Sequence, residues 1–284
     1  MTDILVIGSV NLDLSASVSR LPAPGETVTG ATLERFPGGK GANQALAARR
    51  LGANVTLIAC IGNDSVAEEA LALLKQDGVD LSQCVVHPTA ATGVALISVA
   101  DSGENSIVVA PGANAELAFD GIALPDAAAL ICQLEVPGDT ILRAASNFNG
   151  IFIVNLAPAR DIDERIIELA DVLVVNETES AWYGERLSKC PGLVVTTHGK
   201  DGAEMHRAGK RIASARAKRI NAIDTTGAGD AFTAALAVAL VEKMSSDNAL
   251  EFACAAGSLA ATRRGAQPSL PTRDEVAALL SDHQ

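Results

Sequence analysis

The chain has 284 residues, 48% of them hydrophobic, and a formal net charge of −12. This size and apolar content fit a compact protein with one large core, and no run reaches the roughly 18 apolar residues that a membrane helix requires. The negative charge disfavours nucleic acid or an anionic membrane surface as a partner. The N-terminal segment has no basic leader or cleavage site, and the five cysteines are scattered without close pairs. We therefore expect a cytoplasmic protein with reduced thiols, without a disulfide framework or a zinc site.

Short apolar runs rich in β-branched residues alternate along the chain with segments of helical periodicity. The predicted strands span 4–7, 55–59, 129–134, 151–155, 172–175 and 193–197. The predicted helices span 42–51, 65–77, 161–170, 231–243 and 250–263. This alternation predicts an α/β fold with a largely parallel sheet covered by helices on both faces, in which ligands bind at the carboxyl ends of the strands.

Two regions, 12–36 and 92–110, interrupt this rhythm. Their residues alternate in the manner of exposed antiparallel strands, with Pro and Gly turns between them. The pattern fits a small flap over the mouth of the main sheet, and it fits equally well a pair of hairpins at the sheet edge. Because the chain has no internal repeat and no low-complexity linker, the simplest interpretation is one α/β domain over 1–284 with an inserted lid.

Segment 221–232 joins a small-residue turn and a carboxylate to the start of a long apolar helix. Since that helix is predicted to begin at Ala231, the N–H groups of residues 227–230 would point out of its N-terminus. Unpaired amides and the helix dipole bind a phosphate, or stabilise charge that develops on a transferring phosphoryl group. Asp230 is then a candidate base beside an anion site, although the dipole alone also favours a carboxylate in a first helical turn.

Two further segments carry polar groups that suit a polyol. Asn11 and Asp13 follow the first strand two residues apart, so in an extended chain they face one side and can hold adjacent hydroxyls, but Asn-x-Asp alone is usually a turn. Segment 37–44, PGGKGANQ, is a glycine-rich turn that leads into a helix. It matches neither the Walker nor the dinucleotide pattern, so we expect its backbone and Asn43 to contact a small polar ligand.

Segments 155–160 and 176–179 each follow a predicted strand, so we expect both at one rim of the sheet. Segment 197–202 is a turn after another predicted strand. Asn176 also fits a helix cap, with Glu179 completing a capping box, and 197–202 fits an ordinary turn. No histidine has a metal-ligand partner at the usual spacing. Trp182 and Tyr183 are predicted to pack in the protein rather than to stack on a base.

In this order and wording, these segments resemble the ribokinase family of sugar kinases, also called the PfkB carbohydrate kinases, over essentially the whole chain. The motifs are GSVNLD at 8–13, GGKGANQ at 38–44, NLAPAR at 155–160, NETE at 176–179, DTTGAGD at 224–230 and TRRGAQPS at 262–269. The family implies a three-layer α/β/α sandwich with a mostly parallel central sheet and a small β-sheet lid, here about 12–36 and 92–110. It also implies a homodimer that forms through the lid.

The resemblance assigns a role to each matching position. The sugar would be held by Asn11, Asp13, Gly39, Lys40, Asn43, Glu135 and Asp230. The catalytic base would be Asp230, with an anion hole formed by Gly227, Ala228 and Gly229. ATP and its Mg²⁺ would face Asn176, Thr197, Gly199, Gly202 and Gly229, with Glu179 in the magnesium region. A potassium site would use Asp224, Thr226, Ala260, Arg263, Gly265 and Ser269, mostly through backbone carbonyls.

The activity implied in this way is transfer of the γ-phosphate of ATP to the 5-hydroxyl of D-ribose, with Mg²⁺ and K⁺ as cofactors. Within the family, the acceptor could instead be deoxyribose, fructose, 2-keto-3-deoxygluconate or adenosine, although the low aromatic content disfavours a nucleoside. A function of a different class is that of a sugar-binding regulator without catalysis, but binding alone would not require a base beside an anion hole. A nicotinamide-dependent dehydrogenase would carry the dinucleotide fingerprint, which this sequence lacks.

The sequence departs from the family pattern in two shortened segments, 136–150 and 180–192. Because these segments are short, the resemblance does not establish that their surface helices, or the part of the nucleotide rim next to them, are retained. His198 also occupies a nucleotide-loop position where a small or apolar residue is expected.

Overall fold

The computed structural model describes residues 3–102, 104–121 and 123–281. The strands within them are β1 Asp3–Ile7, β2 Asn11–Val18, β3 Thr32–Gly38, β4 Asn54–Ile58, β5 Cys60–Gly62, β6 Val85–His87, β7 Gly93–Ala100, β8 Asn105–Ala110, β9 Ala129–Gln133, β10 Ile151–Asn155, β11 Val172–Asn176, β12 Leu193–Thr197, β13 Ala203–Arg207 and β14 Lys210–Ala215. The α-helices are α1 Lys40–Arg50, α2 Ser65–Ala70, α3 Ala72–Asp77, α4 Gly138–Asn147, α5 Arg165–Leu169, α6 Glu177–Tyr183, α7 Ala228–Val241, α8 Ser246–Ala260, α9 Ala266–Ser269 and α10 Arg273–Ser281. Single 3₁₀ segments occupy Gly112–Glu116, Gly184–Lys189 and Gly199–Asp201.

The main sheet has eight strands in the order β14-β13-β12-β11-β10-β9-β1-β4. Neighbouring strands from β4 to β12 run parallel, whereas β13 and β14 extend the sheet as an antiparallel edge. The six strands predicted from apolar runs are the six parallel ones, each within one residue of its predicted ends. They were recognisable because a strand buried on both faces is apolar along most of its length.

Helices cover both faces of this sheet. Along β1, Ile4 and Val6 point into one hydrophobic core, while Leu5 and Ile7 point into the other. Side chains of α1, α7 and α8 close the first core, and those of α4, α5 and α6 close the second. The predicted three-layer α/β/α arrangement is therefore confirmed.

The helices differ from the predictions mainly at their ends. The helix predicted from Ala231 begins three residues earlier, at Ala228, because Gly227 adopts a left-handed conformation as its N-cap. The helix predicted over 65–77 is divided at Leu71 into α2 and α3, and the one predicted over 161–170 shortens to α5. The helix predicted from residue 250 begins at Ser246, where the Ser245 side chain accepts a hydrogen bond from Asn248 N. Apolar periodicity identifies the buried face of a helix but not the residue that caps it.

A second, four-stranded sheet is formed by the two irregular regions, in the order β3-β2-β7-β8. The β2–β3 and β7–β8 pairs are antiparallel, as expected, but the central β2–β7 pair is parallel, so the expectation of an entirely antiparallel arrangement is wrong there. The reason is that β2 and β7 both leave the main body in the same direction, with Asn11 beside Gly93.

The four-stranded sheet presents apolar side chains on both of its faces. Ile97, Ile107 and Val109 line a cleft between this sheet and the main body. On the outer face, Leu33 is 61% exposed, Leu96 50% and Val108 61%. Among the described residues, no helix is both long and apolar enough to cross a membrane.

Candidate active site

A cleft of about 360 Å³ lies where the carboxyl ends of the parallel strands, the four-stranded sheet and the start of α7 meet. Its position agrees with the rule that ligands of such folds bind beyond the carboxyl ends of the strands. The predicted site residues in its lining are Asn11, Asp13, Gly39, Lys40, Asn43, Glu135, Asn176, Glu179, Thr197, Thr226, Gly227, Gly229 and Asp230. Segments far apart in sequence thus contribute to one cleft.

Asp230 lies in the first turn of α7 and is only 6% exposed. Each of its carboxylate oxygens accepts one side-chain hydrogen bond: Oδ2 from Asn43 Nδ2 at 2.8 Å and Oδ1 from Gln44 Nε2 at 2.9 Å. Burial raises the pKa of Asp230, while the charge of Lys40 and the two amide hydrogen bonds act to lower it. A buried carboxylate with a raised pKa, inside a cleft, is typical of a catalytic base.

The start of α7 beside Asp230 offers backbone N–H groups to the cleft. The N–H of Ala228 is engaged, since it donates to the carbonyl of Thr225 at 3.2 Å. The N–H groups of Gly229 and Asp230 have no acceptor among the described residues. A Cβ added to Gly229 would have no atom within 4 Å, so the backbone here faces open space that can receive an anion.

Lys40 is the first residue of α1 and faces several acidic side chains in the cleft. Burial alone would lower the pKa of Lys40, but the charges of Asp230, Glu135, Glu179 and Asp13 together raise it. The lysine therefore remains charged and partly balances these carboxylates. Glu135 is held by its own hydrogen bonds, because its Oε2 accepts from the Ser9 hydroxyl and from Lys40 N at 3.1 Å.

Asp13 is buried at the inner end of β2. Burial, followed by the charges of Glu135 and Asp230, raises the pKa of Asp13 to about 7, against the opposing effect of Lys40. Gly39 approaches the same strand closely: its φ is +89°, and an added Cβ would lie 2.7 Å from Asn11 N. A side chain at position 39 would therefore displace the strand that carries the predicted sugar-binding residues.

The amide of Asn11 has a defined orientation. Asn114 Oδ1 accepts from Val10 N at 2.9 Å, so Asn114 Nδ2 must be the atom that donates to Asn11 Oδ1 at 2.7 Å. This leaves the Nδ2 of Asn11 as the group available to a ligand. The sequence had singled out Asn11 but not Asn114, which lies far away in the chain.

The rim of the cleft on the β11 and β12 side is built by a capping box. Asn176 Oδ1 accepts from Glu179 N, and Glu179 Oε2 accepts from Asn176 N, both at 2.8 Å, so the predicted box is confirmed. Burial raises the pKa of Glu179. Thr197 lines the cleft, whereas Gly199 and Gly202 lie in the turn beside it and not in its lining.

The side chains around this rim settle several smaller expectations. His198 Nδ1 lies 3.2 Å from Glu177 Oε1, so the unexpected histidine contacts the first residue of α6. The shortened segment 180–192 continues α6 for only a few residues before a 3₁₀ segment, and 136–150 still contains α4. Tyr183 is buried as predicted, but Trp182 is exposed, so its predicted packing role is wrong.

The predicted potassium-site residues lie in and around the loop that precedes α7. Asp224 Oδ1 accepts from Thr226 N and Oγ1, and its Oδ2 accepts from Gly265 N at 2.9 Å, which joins the loop before α7 to the turn after α8. Arg263 pairs with Glu275 at the surface. Ala260 ends α8, and the buried Ser269 donates to Ala266 O.

The structure also reveals site residues that were not given a role from the sequence. Gln44 contacts Asp230 directly, and Asn155 lines the cleft and accepts from Gln44 Nε2 at 3.2 Å. Both residues lie inside the motifs quoted above, so their position next to assigned residues was the available signal. Ser9 and Asn114 act by orienting Glu135 and Asn11.

Comparison with known proteins agrees with this geometry. The family model described as pfkB family carbohydrate kinase matches residues 1–273. The chain belongs to this family. It is 38% identical to the ribokinase of Haemophilus influenzae over 299 residues, covering 97% of each chain, and 38% identical to that of Bacillus subtilis, covering 99% of this chain and 100% of the relative.

Solved structures lead to the same conclusion. A ribokinase from Thermotoga maritima superposes with a TM-score of 0.90 at 34% identity, covering 99% of this chain and 100% of that one. Arabidopsis thaliana ribokinase complexed with ribose and ATP superposes with a TM-score of 0.88 at 32% identity, covering 99% of both chains. The protein is a carbohydrate kinase.

The raised pKa of Asp13 predicts a pH-dependent effect of Asp13→Asn on the stability of the kinase. The unfolded chain releases the Asp13 proton near pH 4, whereas the folded protein retains it to about pH 7, so the wild type loses stability as the pH rises between these values. The variant has no such charge to bury. At pH 8 we expect it to be more stable than the wild type by at most about 4 kcal/mol, with little or no gain at pH 4.5.

Urea denaturation of both proteins at the two pH values measures this difference in free energy of unfolding. Asp101→Asn is a suitable control because Asp101 is exposed, so the substitution removes a carboxylate that the fold does not bury. A stability difference for Asp13→Asn that is the same at pH 4.5 and pH 8 would contradict the assigned burial of the charge.

Proposed function

We propose that the kinase transfers the γ-phosphate of ATP to the 5-hydroxyl of D-ribose, giving D-ribose 5-phosphate and ADP. The observation that carries the proposal is the buried Asp230 carboxylate next to the unpaired N–H groups at the start of α7. Such a pair places a base beside a site for a phosphoryl group, as phosphoryl transfer requires. Ribose is the proposed acceptor because the related proteins named above are ribokinases, and because one of the solved relatives is a complex with ribose and ATP.

The sugar-binding role rests on polar atoms that lack partners. Asn43 Oδ1 is buried in the cleft without a hydrogen-bond partner, and Asn11 presents its Nδ2. A sugar hydroxyl is both donor and acceptor, so it can satisfy both amides. The carboxyl groups of Asp13 and Glu135, with the backbone of Gly39 and the ammonium of Lys40, complete the proposed sugar site.

In the proposed reaction, Asp230 takes the proton of the attacking hydroxyl. The N–H groups of Gly229 and Asp230 donate to the phosphoryl oxygens on which negative charge develops, with Gly227 and Ala228 shaping this turn as the predicted anion hole. Lys40 adds a positive charge on the same side of the cleft. Holding the hydroxyl, the base and the phosphate in one geometry is expected to supply most of the catalysis.

ATP is proposed to lie along the rim formed by Asn176, Thr197 and the 199–202 turn. Glu179, a buried carboxylate at this rim, fits the neighbourhood of a divalent cation, for which carboxylate oxygens are suitable ligands. When bound, Mg²⁺ would neutralise charge on the phosphates. The lining of the cleft contains no aromatic ring among the described residues, so nothing there would stack on the base of a nucleoside acceptor.

A potassium ion is proposed to bind behind the anion hole. The carbonyl oxygens of Asp224, Thr226, Arg263 and Gly265 accept no hydrogen bond from any described residue, which suits a monovalent cation that takes backbone oxygens. Ala260 and Ser269 are the remaining proposed ligand positions, and the carbonyl of Ala260 already accepts a long hydrogen bond of 3.5 Å from Arg263 N. An ion bound there would fix the loop that leads into the start of α7.

Asp230→Asn is the direct test of the base. The amide keeps the size of the side chain but cannot accept the proton, so we expect a folded protein that binds the sugar and loses about 10²- to 10⁴-fold in kcat. Coupled ADP release measures turnover, and calorimetry measures sugar binding. Turnover within a few-fold of the wild type would eliminate Asp230 as the base.

The acceptor and the ion are tested together by ADP release with D-ribose, 2-deoxyribose, fructose, 2-keto-3-deoxygluconate and adenosine, each with and without K⁺. We expect the highest kcat/KM with ribose and a higher kcat in the presence of K⁺. Preference for another compound would keep the mechanism and change the substrate. Identical rates with K⁺ and with a bulky organic cation would refute the potassium site.

The outer face of the four-stranded sheet is proposed to form a homodimer, with this sheet acting as the lid of the cleft. Its large exposed apolar side chains, Leu33, Leu96 and Val108, would be covered by a second copy of the sheet.

We also propose that the kinase works in the cytoplasm, in keeping with its free cysteines. Export of the mature protein, detected by cell fractionation, would refute this location.

Val108→Glu is expected to convert the dimer to a monomer, because it places a charge on the apolar outer face of the sheet, at its β8 edge. Sedimentation velocity at micromolar concentration gives the mass. Val86→Glu is the matched control: Val86 is 54% exposed but lies on the two-stranded β5–β6 sheet. A monomeric wild type, or a dimer that survives Val108→Glu, would contradict the proposal.

A further inference from the structure

Gln44 and Gln133 form a chain of buried amides behind the proposed base. Both side chains are completely buried, and neither lines the cleft. They therefore have no access to the sugar or the nucleotide. Burying an amide is costly unless it is hydrogen-bonded, so their polarity calls for a role inside the protein.

The direction of each hydrogen bond in this chain follows from the carboxylate. An ionised Asp230 only accepts, so Gln44 must turn its Nε2 toward Asp230 Oδ1, at 2.9 Å. Its Oε1 then faces away and accepts from Gln133 Nε2 at 2.7 Å. Gln44 Nε2 also donates to Asn155 Oδ1 at 3.2 Å. The amide of Gln44 is thus fixed at both of its ends by side chains at the carboxyl ends of β9 and β10.

We propose that Gln44 is a positioning residue that holds the Asp230 carboxylate in the orientation for proton transfer, supported by Gln133. This inference rests on the proposed function, in which Asp230 is the base. It also assigns the atom that receives the proton. Oδ1 is held by the fully buried Gln44, whereas the partner of Oδ2, Asn43, lines the cleft, so Oδ2 is the oxygen that meets the sugar hydroxyl.

Asn43 and Gln44 are adjacent in sequence, but we assign different roles to their side-chain amides. Asn43 has a free Oδ1 that a sugar can bind, so it belongs to the substrate site. Gln44 has no free group directed at the cleft, since its two polar atoms are occupied within the protein. Loss of Gln44 should consequently affect kcat much more than the KM for sugar.

The hydrogen bond from Gln44 should also influence the titration of Asp230. The charged groups that face Asp230 are Lys40 from α1, Glu135 beyond β9, Asp13 on β2 and Glu179 on α6. All of these remain in a Gln44 variant. A donor to the ionised form lowers the pKa of a carboxyl group, so removing it should raise the pKa of Asp230 and move the acid limb of the rate profile to higher pH.

Gln44→Met is the variant of choice because methionine has a similar shape and no donor. We expect kcat to fall about 10- to 100-fold, the KM for the accepted sugar to stay within about twofold, and the acid limb of kcat against pH to rise by about one unit. Gln133→Met leaves both hydrogen bonds of Asp230 in place, and should shift kcat and the acid limb in the same direction by smaller amounts. The control is Thr140→Val. Thr140 lies on α4, outside the cleft, and its hydroxyl donates a buried hydrogen bond to Leu117 O, so its loss should leave the pH profile unchanged.

A Gln44→Met protein with the wild-type kcat and acid limb would overturn the proposal, as would a loss expressed in KM alone. If circular dichroism shows that Gln44→Met does not fold, Gln133→Met decides: a wild-type acid limb in that variant counts against the proposal. Failure here is separable from failure of the base assignment. Full activity of Asp230→Asn would remove the base itself, whereas an inactive Asp230→Asn beside an unaffected Gln44→Met removes only the positioning role.

Discussion

The burial of the Asp230 carboxylate is the constraint around which the site is arranged. Moving an ionised carboxylate out of water costs several kcal/mol even after the protein relaxes. The fold offsets this cost with the positive end of α7, with amide donors to both oxygens, and with the charge of Lys40. Both amide donors and the lysine come from α1, so the chemistry depends on how α1 packs against α7.

The packing of these two helices explains their composition. Residues such as Ala45 and Ala48 on α1, and Ala234 and Ala235 on α7, are completely buried in the same core. Small side chains let two helices approach closely, so the short side chain of Asn43 can reach Asp230. The alanine-rich sequence of these helices favours helix formation, and it also determines the geometry of the candidate active site.

The sequence predicted those parts of the molecule in which one local pattern determines the outcome. The six parallel strands could be recognised because most of their residues are apolar, and the place of Asp230 near the start of a long apolar helix could be predicted because small residues precede it. The start of α7 could not be located, because it depends on the left-handed conformation of Gly227, and the parallel pairing of β2 with β7 depends on how both strands leave the body. The contacts of Gln44 were also beyond reach, since they are made with residues 89 and 186 positions away in the chain.

Charge balance links the site to the composition of the whole protein. The chain carries a net charge of −12, and the acidic excess extends into the cleft, where Asp13, Glu135, Glu179 and Asp230 accompany one lysine. A nucleotide phosphate would be repelled by such a surface if only the distant field mattered. The groups at the proposed phosphate position are not acidic. They are backbone N–H groups, which carry no net charge, and the ammonium of Lys40, whose pKa is raised by the surrounding carboxylates. The carboxylates therefore do not simply oppose an anionic substrate, because they keep Lys40 protonated next to the anion site that we propose.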